Sequence, residues 1–199
     1  MEKSALIHKL NELKKKQKMI ESAWKKAGNR ELLQFFVEIM PKVVEAERCS
    51  IFIHDPTEDN LWVQCGTGVE ERQISVPQSG SVIGRAIASG KPVFEKNMHM
   101  QMGPHDTVAL KTGYVTYNTL CVPVFGVTTE KVTGAIQVVN KRRADEFNEA
   151  DLAVLKKLAF HIQMHIENIY LRQELSKISV QMSKKVARLE KQLAQMGGH

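Results

Sequence analysis

The sequence predicts an α+β protein in which helices frame an antiparallel, strand-rich centre. Three observations predict it. Residues 31–47 carry Leu32, Leu33, Phe35, Phe36, Ile39, Met40, Val43 and Val44, a wide apolar arc at helical spacing. The middle of the chain breaks instead into short β-branched runs separated by turn residues. From Glu149 a helical pattern then runs on with no Gly or Pro until Gly197, far longer than one domain can cover.

Length and composition bound the rest. A chain of 199 residues with 43% hydrophobic and 25% charged residues fits one domain plus extensions. The opening MEKSALIHKL has no apolar h-region and no run approaches a membrane span, so a cytoplasmic protein without a membrane partner is expected. Cys49, Cys65 and Cys121 include no CxxC pair, which argues against a disulfide framework and a zinc site and for buried free thiols. The net charge of +6 sits at the ends: residues 1–29 carry +5 and residues 150–199 carry +4, while the centre carries −3. KKKQK at 14–18 reads as a solvated helix face, so nucleic acid is not an expected partner.

Taken in order, residues 1–28 form a helix with a narrow seam, Leu6, Leu10, Leu13, Gln17, Ile20, Trp24 and Ala27, suited to one partner helix. The helix at 31–47 follows, with a kink expected at Pro41. Residues 49–55 and 60–67 read as strands around the turn DPTED, and 73–76 as a short third strand. A short helix over 81–89 is closed by Gly90 and Pro92, and 93–95 is another short strand. Residues 97–116 show no period and read as a long loop of the lid or binding type. Residues 118–127 and 132–141 form a hairpin around TTEK, with an edge or bulge at Pro123 because proline lacks the ladder donor.

The joint into the last helix is locally specified. Asn148 occupies the N-cap position and Asp151 the reciprocal position of a capping box. Phe147 and Leu152 are placed as a hydrophobic staple, and Glu149 and Asp151 put negative charge near the positive helix end. All of this is explained without a ligand. Along the helix, Leu155, Leu158, Ile162, Ile166 and Ile169 form a stripe for packing on the sheet. A second stripe, Met164, Asn168, Leu171, Leu175, Ile178, Met182, Val186, Leu189, Leu193 and Met196, is heptad-like with one stutter at Met182. That seam predicts a parallel homodimer through the first and last helices, with Asn168 fixing register.

Four segments, RCSIFIHD (48–55), GSVIGRAIASGKPVF (80–94), TGYVTYNTLCVPV (112–124) and GAIQVVNK…F…D (134–151), resemble the GAF domain, a small-molecule-binding module of signalling proteins. The resemblance covers residues 31–170. It implies an antiparallel sheet with the N- and C-terminal helices on one face and a ligand pocket on the other. TGYVT followed by NTLCVPV, and NK with a later F-x-x-x-D, look like the cyclic-nucleotide-binding GAF domains of phosphodiesterases and adenylyl cyclases. Asn140, Lys141, Phe147 and Asp151 match that subfamily's motif, while its final Glu is Leu152 here. In the subfamily the Lys and Asp pair with each other beside the pocket. Carried over by position, Ser50 corresponds to a base contact, Val82 and Ile83 to phosphate contacts at a helix N-terminus, Thr112 and Thr116 to threonines near the ligand, and Gln137 to a polar position on the last strand. The strand period agrees for Gln137, which shares a face with Ala135 and Val139. The subfamily's D-x-x-T-G carries Ala109 at the Asp position, so one base-specific contact is missing.

MHMQMGPH (98–105) gathers soft and imidazole ligands that suit copper or haem, but methionines also cap apolar pockets. GAF relatives that reduce methionine sulfoxide, and bilin-binding ones, use cysteines in the helix and lid region; none lies between Cys65 and Cys121. The expectation is therefore a non-catalytic, homodimeric sensor without metal or resident cofactor, its ligand a small molecule such as cyclic AMP or cyclic GMP. It would be organised as residues 1–28 (dimerisation helix), 29–170 (GAF domain) and 171–196 (coiled-coil extension), signalling to a partner protein. The alternatives are a purely structural dimerisation module, its pocket collapsed around Met100 and Met102, and a haem or redox sensor.

Overall fold

Short runs of alternating and β-branched residues pair into one six-stranded sheet in a computed structural model, which describes residues 29–69, 73–100 and 102–196. The strands are β1 (Ala46–Ile53), β2 (Asn60–Gly66), β3 (Ser75–Pro77), β4 (Val93–Glu95), β5 (Thr119–Phe125) and β6 (Val132–Lys141). Their order is β3-β2-β1-β6-β5-β4, and every neighbouring pair is antiparallel. The helices are α1 (Asn29–Val43), α2 (Val82–Ser89), α3 (Pro104–Thr112) and α4 (Glu149–Met196), with a 3-10 turn at Met98–Met100. The chain separates into a unit Arg30–Tyr170 and a second unit to which residues 171–196 belong.

Strand alternation divides the first unit into two layers. Cys49, Ile51 and Ile53 of β1 and Ile136 and Val138 of β6 face one side, where they bury Leu33, Val37 and Met40 of α1 and Leu155, Ile162 and Ile166 of α4. Phe52 and Ala135 face the other side, among Val82, Ile83, Ala86 and Ile87 of α2. Helices thus cover one face, and the opposite face is left for α2, the 3-10 turn and α3. Gly134 is fixed by a three-way approach: a Cβ there would run into the Phe52 carbonyl oxygen and lie 2.9 Å from Ile166 Cγ2.

Most predicted elements appear, with two differences. The helix of 31–47 ends at Val43, and Pro41 lies in its last turn. Pairing takes over early, since Ala46 already opposes Lys141 and Glu45 turns the chain in the left-handed region. Pro123 agrees with expectation: it lies on the free edge beyond the three β5 residues that pair with β4, and the ladder shifts register next to it at Val124/Phe125. The larger difference is at 97–116, which contains the 3-10 turn and the nine-residue α3. α3 is bounded by Gly103-Pro104 and by Gly113, and Asp106 Oδ2 accepts a hydrogen bond from the Gly103 N–H (2.9 Å). Its apolar residues follow no stripe because it covers a cavity rather than a packed core; Leu110 is exposed.

The joint before α4 closes as a cap and an ion pair together. Asn148 Oδ1 accepts from the N–H groups of Ala150 (2.9 Å) and Asp151 (3.1 Å), and Asp151 Oδ2 accepts from the Asn148 N–H (3.0 Å). Asp151 Oδ1 lies 2.7 Å from Lys141 Nζ, which also donates to the Val44 carbonyl at 2.9 Å. Both side chains of this ion pair are about nine-tenths buried, at 8% and 10% exposed. Further along α4, the buried Glu167 grips the β5–β6 turn, accepting from the backbone N–H groups of Val127 and Thr129 and from the Thr128 and Thr129 hydroxyls. Burial alone would raise its pKa, but these hydrogen bonds outweigh burial and hold it below the usual carboxylate value.

Residues 171–196 belong to α4 throughout, and Leu171, Leu175, Ile178, Met182 and Leu189 of the seam are exposed. The seam expected in residues 1–28 lies outside the described residues. No described helix is long and apolar enough to cross a membrane.

Breaking the buried pair from one side leaves an uncompensated charge. Asp151→Asn should lower the unfolding free energy by about 3 kcal/mol in a urea titration, and pairing it with Lys141→Met should recover part of that loss. A change below about 0.5 kcal/mol for the single variant would show the pair to be water-screened.

Candidate functional site

A cavity of about 340 Å³ lies between the second face of the sheet and the α2–α3 layer. Its floor is Ser50 and Phe52 of β1 with Gln137 and Val139 of β6. The start of α2 forms one wall, and Met98, His105, Val108 and Thr112 roof it; Arg48, Arg85 and Glu95 bring charge to the lining. The size and the mix of apolar surface with a few polar groups suit a small organic ligand.

Six of the predicted site residues, Ser50, Val82, Ile83, Thr112, Thr116 and Gln137, line this cavity. Several present unclaimed hydrogen-bonding groups. Neither the hydroxyl of the half-buried Ser50 nor that of Thr116 bonds to a described residue, and both remain accessible. The Thr119 hydroxyl donates to the Val138 carbonyl (2.8 Å), so it can only accept from Gln137 Nε2 (3.1 Å). That orientation leaves the Gln137 amide oxygen unclaimed. Ser81 caps α2, its Oγ accepting from the Gly84 N–H at 3.0 Å, and the Val82 and Ile83 amides have no acceptor within the helix. Thr112 is engaged differently: its hydroxyl donates to the Val108 carbonyl (2.7 Å) inside α3, and it lies at the rim.

Asn140, Lys141 and Asp151 do not line the cavity. Lys141 and Asp151 lie on the helix side of the sheet. Asn140 is buried, in the left-handed conformation (φ 58°), and ties down the chain leaving α3. Its Oδ1 accepts from the Tyr117 N–H (2.8 Å), and its Nδ2 is within 3.0 Å of Glu47 Oε2, the Tyr114 hydroxyl and the Val115 carbonyl. Tyr114 also donates to Glu47 Oε2 (2.7 Å), and the Arg48 guanidinium packs 3.8 Å from its ring centre. The Tyr114 hydrogen bond, then that of Asn140, hold the Glu47 carboxyl below its ordinary pKa against a smaller effect of burial. Burial first, and then Glu47, push the Tyr114 phenol well up.

Arg48, Arg85, Glu95, His105 and Tyr114 were not among the expected site residues. Two of them had a periodic signal: Arg48 is two residues before Ser50 on a strand, and Arg85 three after Val82 on a helix. His105 Nε2 is engaged by the Met98 carbonyl at 2.7 Å. Cys49, Cys65 and Cys121 are free and buried, and none lines the cavity. Burial pushes the Cys49 and Cys121 thiols well up, so both stay protonated at neutral pH.

The Glu47 shift has a pH signature. Its folded pKa is depressed, so its contribution to stability is present above the unfolded value near 4.5 and is lost as pH falls through the lower folded value. Tyr114→Phe removes the largest cause, and the Glu47 carboxyl should then titrate measurably higher in a carbon-detected NMR pH series. An unchanged titration would show that the phenol hydrogen bond does not hold the carboxylate.

The family model for the GAF domain matches residues 28–167. The chain is 30% identical over 139 residues to a probable 3′,5′-cyclic phosphodiesterase of Caenorhabditis elegans, covering 60% of this chain and 18% of that protein. It is 30% identical over 133 residues to the dual 3′,5′-cyclic-AMP and -GMP phosphodiesterase 11A of Takifugu rubripes, covering 61% of this chain and 14% of the relative. Both matches span less than a fifth of the relative's length. Among solved structures, the free methionine-R-sulfoxide reductase of Neisseria meningitidis, in complex with its substrate, has the same fold, with a TM-score of 0.56, 18% identity, and coverage of 73% of this chain and 81% of that one.

Proposed function

The chain belongs to the GAF family, whose members are typically regulatory, and from that premise we propose that it is a non-catalytic sensor whose cavity takes a small molecule, a cyclic nucleotide fitting best. One observation carries this reading: the cavity wall combines apolar surface with unclaimed Ser50 and Thr116 hydroxyls, the Gln137 oxygen and the Val82 and Ile83 amides. Polar groups at a cavity wall with no protein partner are available to a ligand that enters it, and this set matches a planar polar ring at one end and an anion at a helix start at the other. The relatives' phosphodiesterase names give the nucleotide class its support. Ala109 removes one base contact, so discrimination between adenine and guanine rests on the remaining groups.

The other readings have less behind them. Reductase chemistry needs a thiolate at the cavity, and no cysteine lines it. A purely structural module would fill the cavity with Met100 and Met102, but Met100 is exposed and outside the lining, and Met102 borders the cavity while fully exposed.

Signalling would run through two adjacent residues. Ligand closing the 97–116 lid pulls on 114–118, which Asn140 holds; Lys141, the next residue, holds Asp151 at the start of α4. The domain 29–170 thereby biases two packings of a parallel dimer formed by residues 1–28 and 171–196, with easiest slippage near the Met182 stutter. A downstream protein partner reads the helices.

Two measurements test this. Ligand-free protein should show a thermal shift with cyclic AMP or cyclic GMP, since ligand at a hundred times its Kd adds about 2.7 kcal/mol; no shift with either removes the cyclic-nucleotide reading. Leu175→Cys and Leu189→Cys variants should each cross-link to covalent dimers under mild oxidation. Monomer at both positions contradicts the dimer.

A further inference from the structure

The cavity's charged wall goes beyond the hydrogen-bonding set above. Arg85 lies in the first turns of α2, and its Cα–Cβ bond leans toward the helix start, the end at which the unclaimed Val82 and Ile83 amides lie. It is joined to Glu95 of β4, Nη2 to Oε1, at 2.6 Å. Arg85 is half exposed and Glu95 about three-quarters buried, and both line the cavity. A guanidinium has five N–H donors in a rigid fork, and this contact engages one end of it. Arg48, the other arginine of the lining among the described residues, is packed against the Tyr114 ring.

We propose that Arg85 makes this site selective for ligands bearing a phosphate oxyanion, with Glu95 holding the guanidinium in place at the cavity wall. The proposal deepens the small-molecule reading and rests on it. An oxyanion docked on the Val82 and Ile83 amides shares the cavity with Arg85, whose charge-assisted hydrogen bond would add to the partial charge of the helix start. The tether matters because a free arginine would lose side-chain freedom on binding, whereas one already fixed by Glu95 loses less. Uncharged ligands of the same shape gain nothing from Arg85, so its effect is on selectivity and not on fit.

The test uses the full 199-residue chain. The Nε–Hε resonance of Arg85, identified by its loss in Arg85→Gln, is followed by NMR while sodium phosphate replaces sodium chloride at constant ionic strength. A saturable shift with phosphate is expected; no shift overturns the proposal. Calorimetry then compares cyclic AMP and cyclic GMP with adenosine and guanosine on the wild type, Arg85→Gln and Arg85→Lys. Arg85→Gln should weaken the bound nucleotide about tenfold and leave the nucleoside unaffected, with Arg85→Lys between. Equal loss for nucleotide and nucleoside makes Arg85 a mere brace between α2 and β4 and overturns the proposal, as does full nucleotide affinity in Arg85→Gln. If phosphate shifts Arg85 but neither nucleotide binds, the anion site stands and the cyclic-nucleotide reading falls.

Discussion

The buried contact between Lys141 and Asp151 organises this domain more than any other single interaction. Lys141 ends β6, Asp151 lies in the first turn of α4, and the Lys141 ammonium also takes the Val44 carbonyl just after α1. Two helices and the central strand therefore converge on one nitrogen. Taking the ammonium and the carboxylate out of water is costly unless each finds further partners. Here Asp151 is also half of the capping box, and Lys141 also satisfies a carbonyl at the end of a helix. The ion pair is affordable in this position because the cap and the helix end already needed those groups.

One residue earlier the chain does the reverse job. Asn140 bonds to the backbone of Tyr117 and Val115 and to the Glu47–Tyr114 pair, all on the side of α3. Adjacent residues at the end of β6 thus hold opposite layers. The roof of the cavity and the start of the long helix meet within two residues, with no wire of intermediate contacts needed. Glu167 adds a second tie, from α4 to the β5–β6 turn, so that helix and hairpin are held at two points.

Local chemistry made much of this legible from sequence. Asn148, Asp151, Phe147 and Leu152 announced the α4 joint because caps and staples depend on residues only a few positions apart. The face of Gln137 followed from strand alternation, and the end of α2 from Gly90, whose φ of 63° suits glycine. What stayed hidden depended on distant partners. α3 has no apolar stripe, since its cavity side carries His105 and Val108 while Leu110 points to solvent. Asn140 became a clamp only when Tyr114 and Glu47, far apart in sequence, met it. Arg48 and Arg85 were within reach of periodicity, but a charged side chain on a strand or short helix reads as solvent-facing until a cavity is known to lie beside it.

The central claim is that Asn140 and Lys141 join the lid layer to the helix layer. Hydrogen exchange on the wild type and on Asn140→Ala tests it most directly, because Asn140 touches no part of α4 in the contacts described. The coupling predicts faster exchange both in residues 114–118 and in the first turns of α4, residues 149–155. Faster exchange confined to 114–118, with 149–155 unchanged, would contradict it and leave the two residues as separate local fasteners.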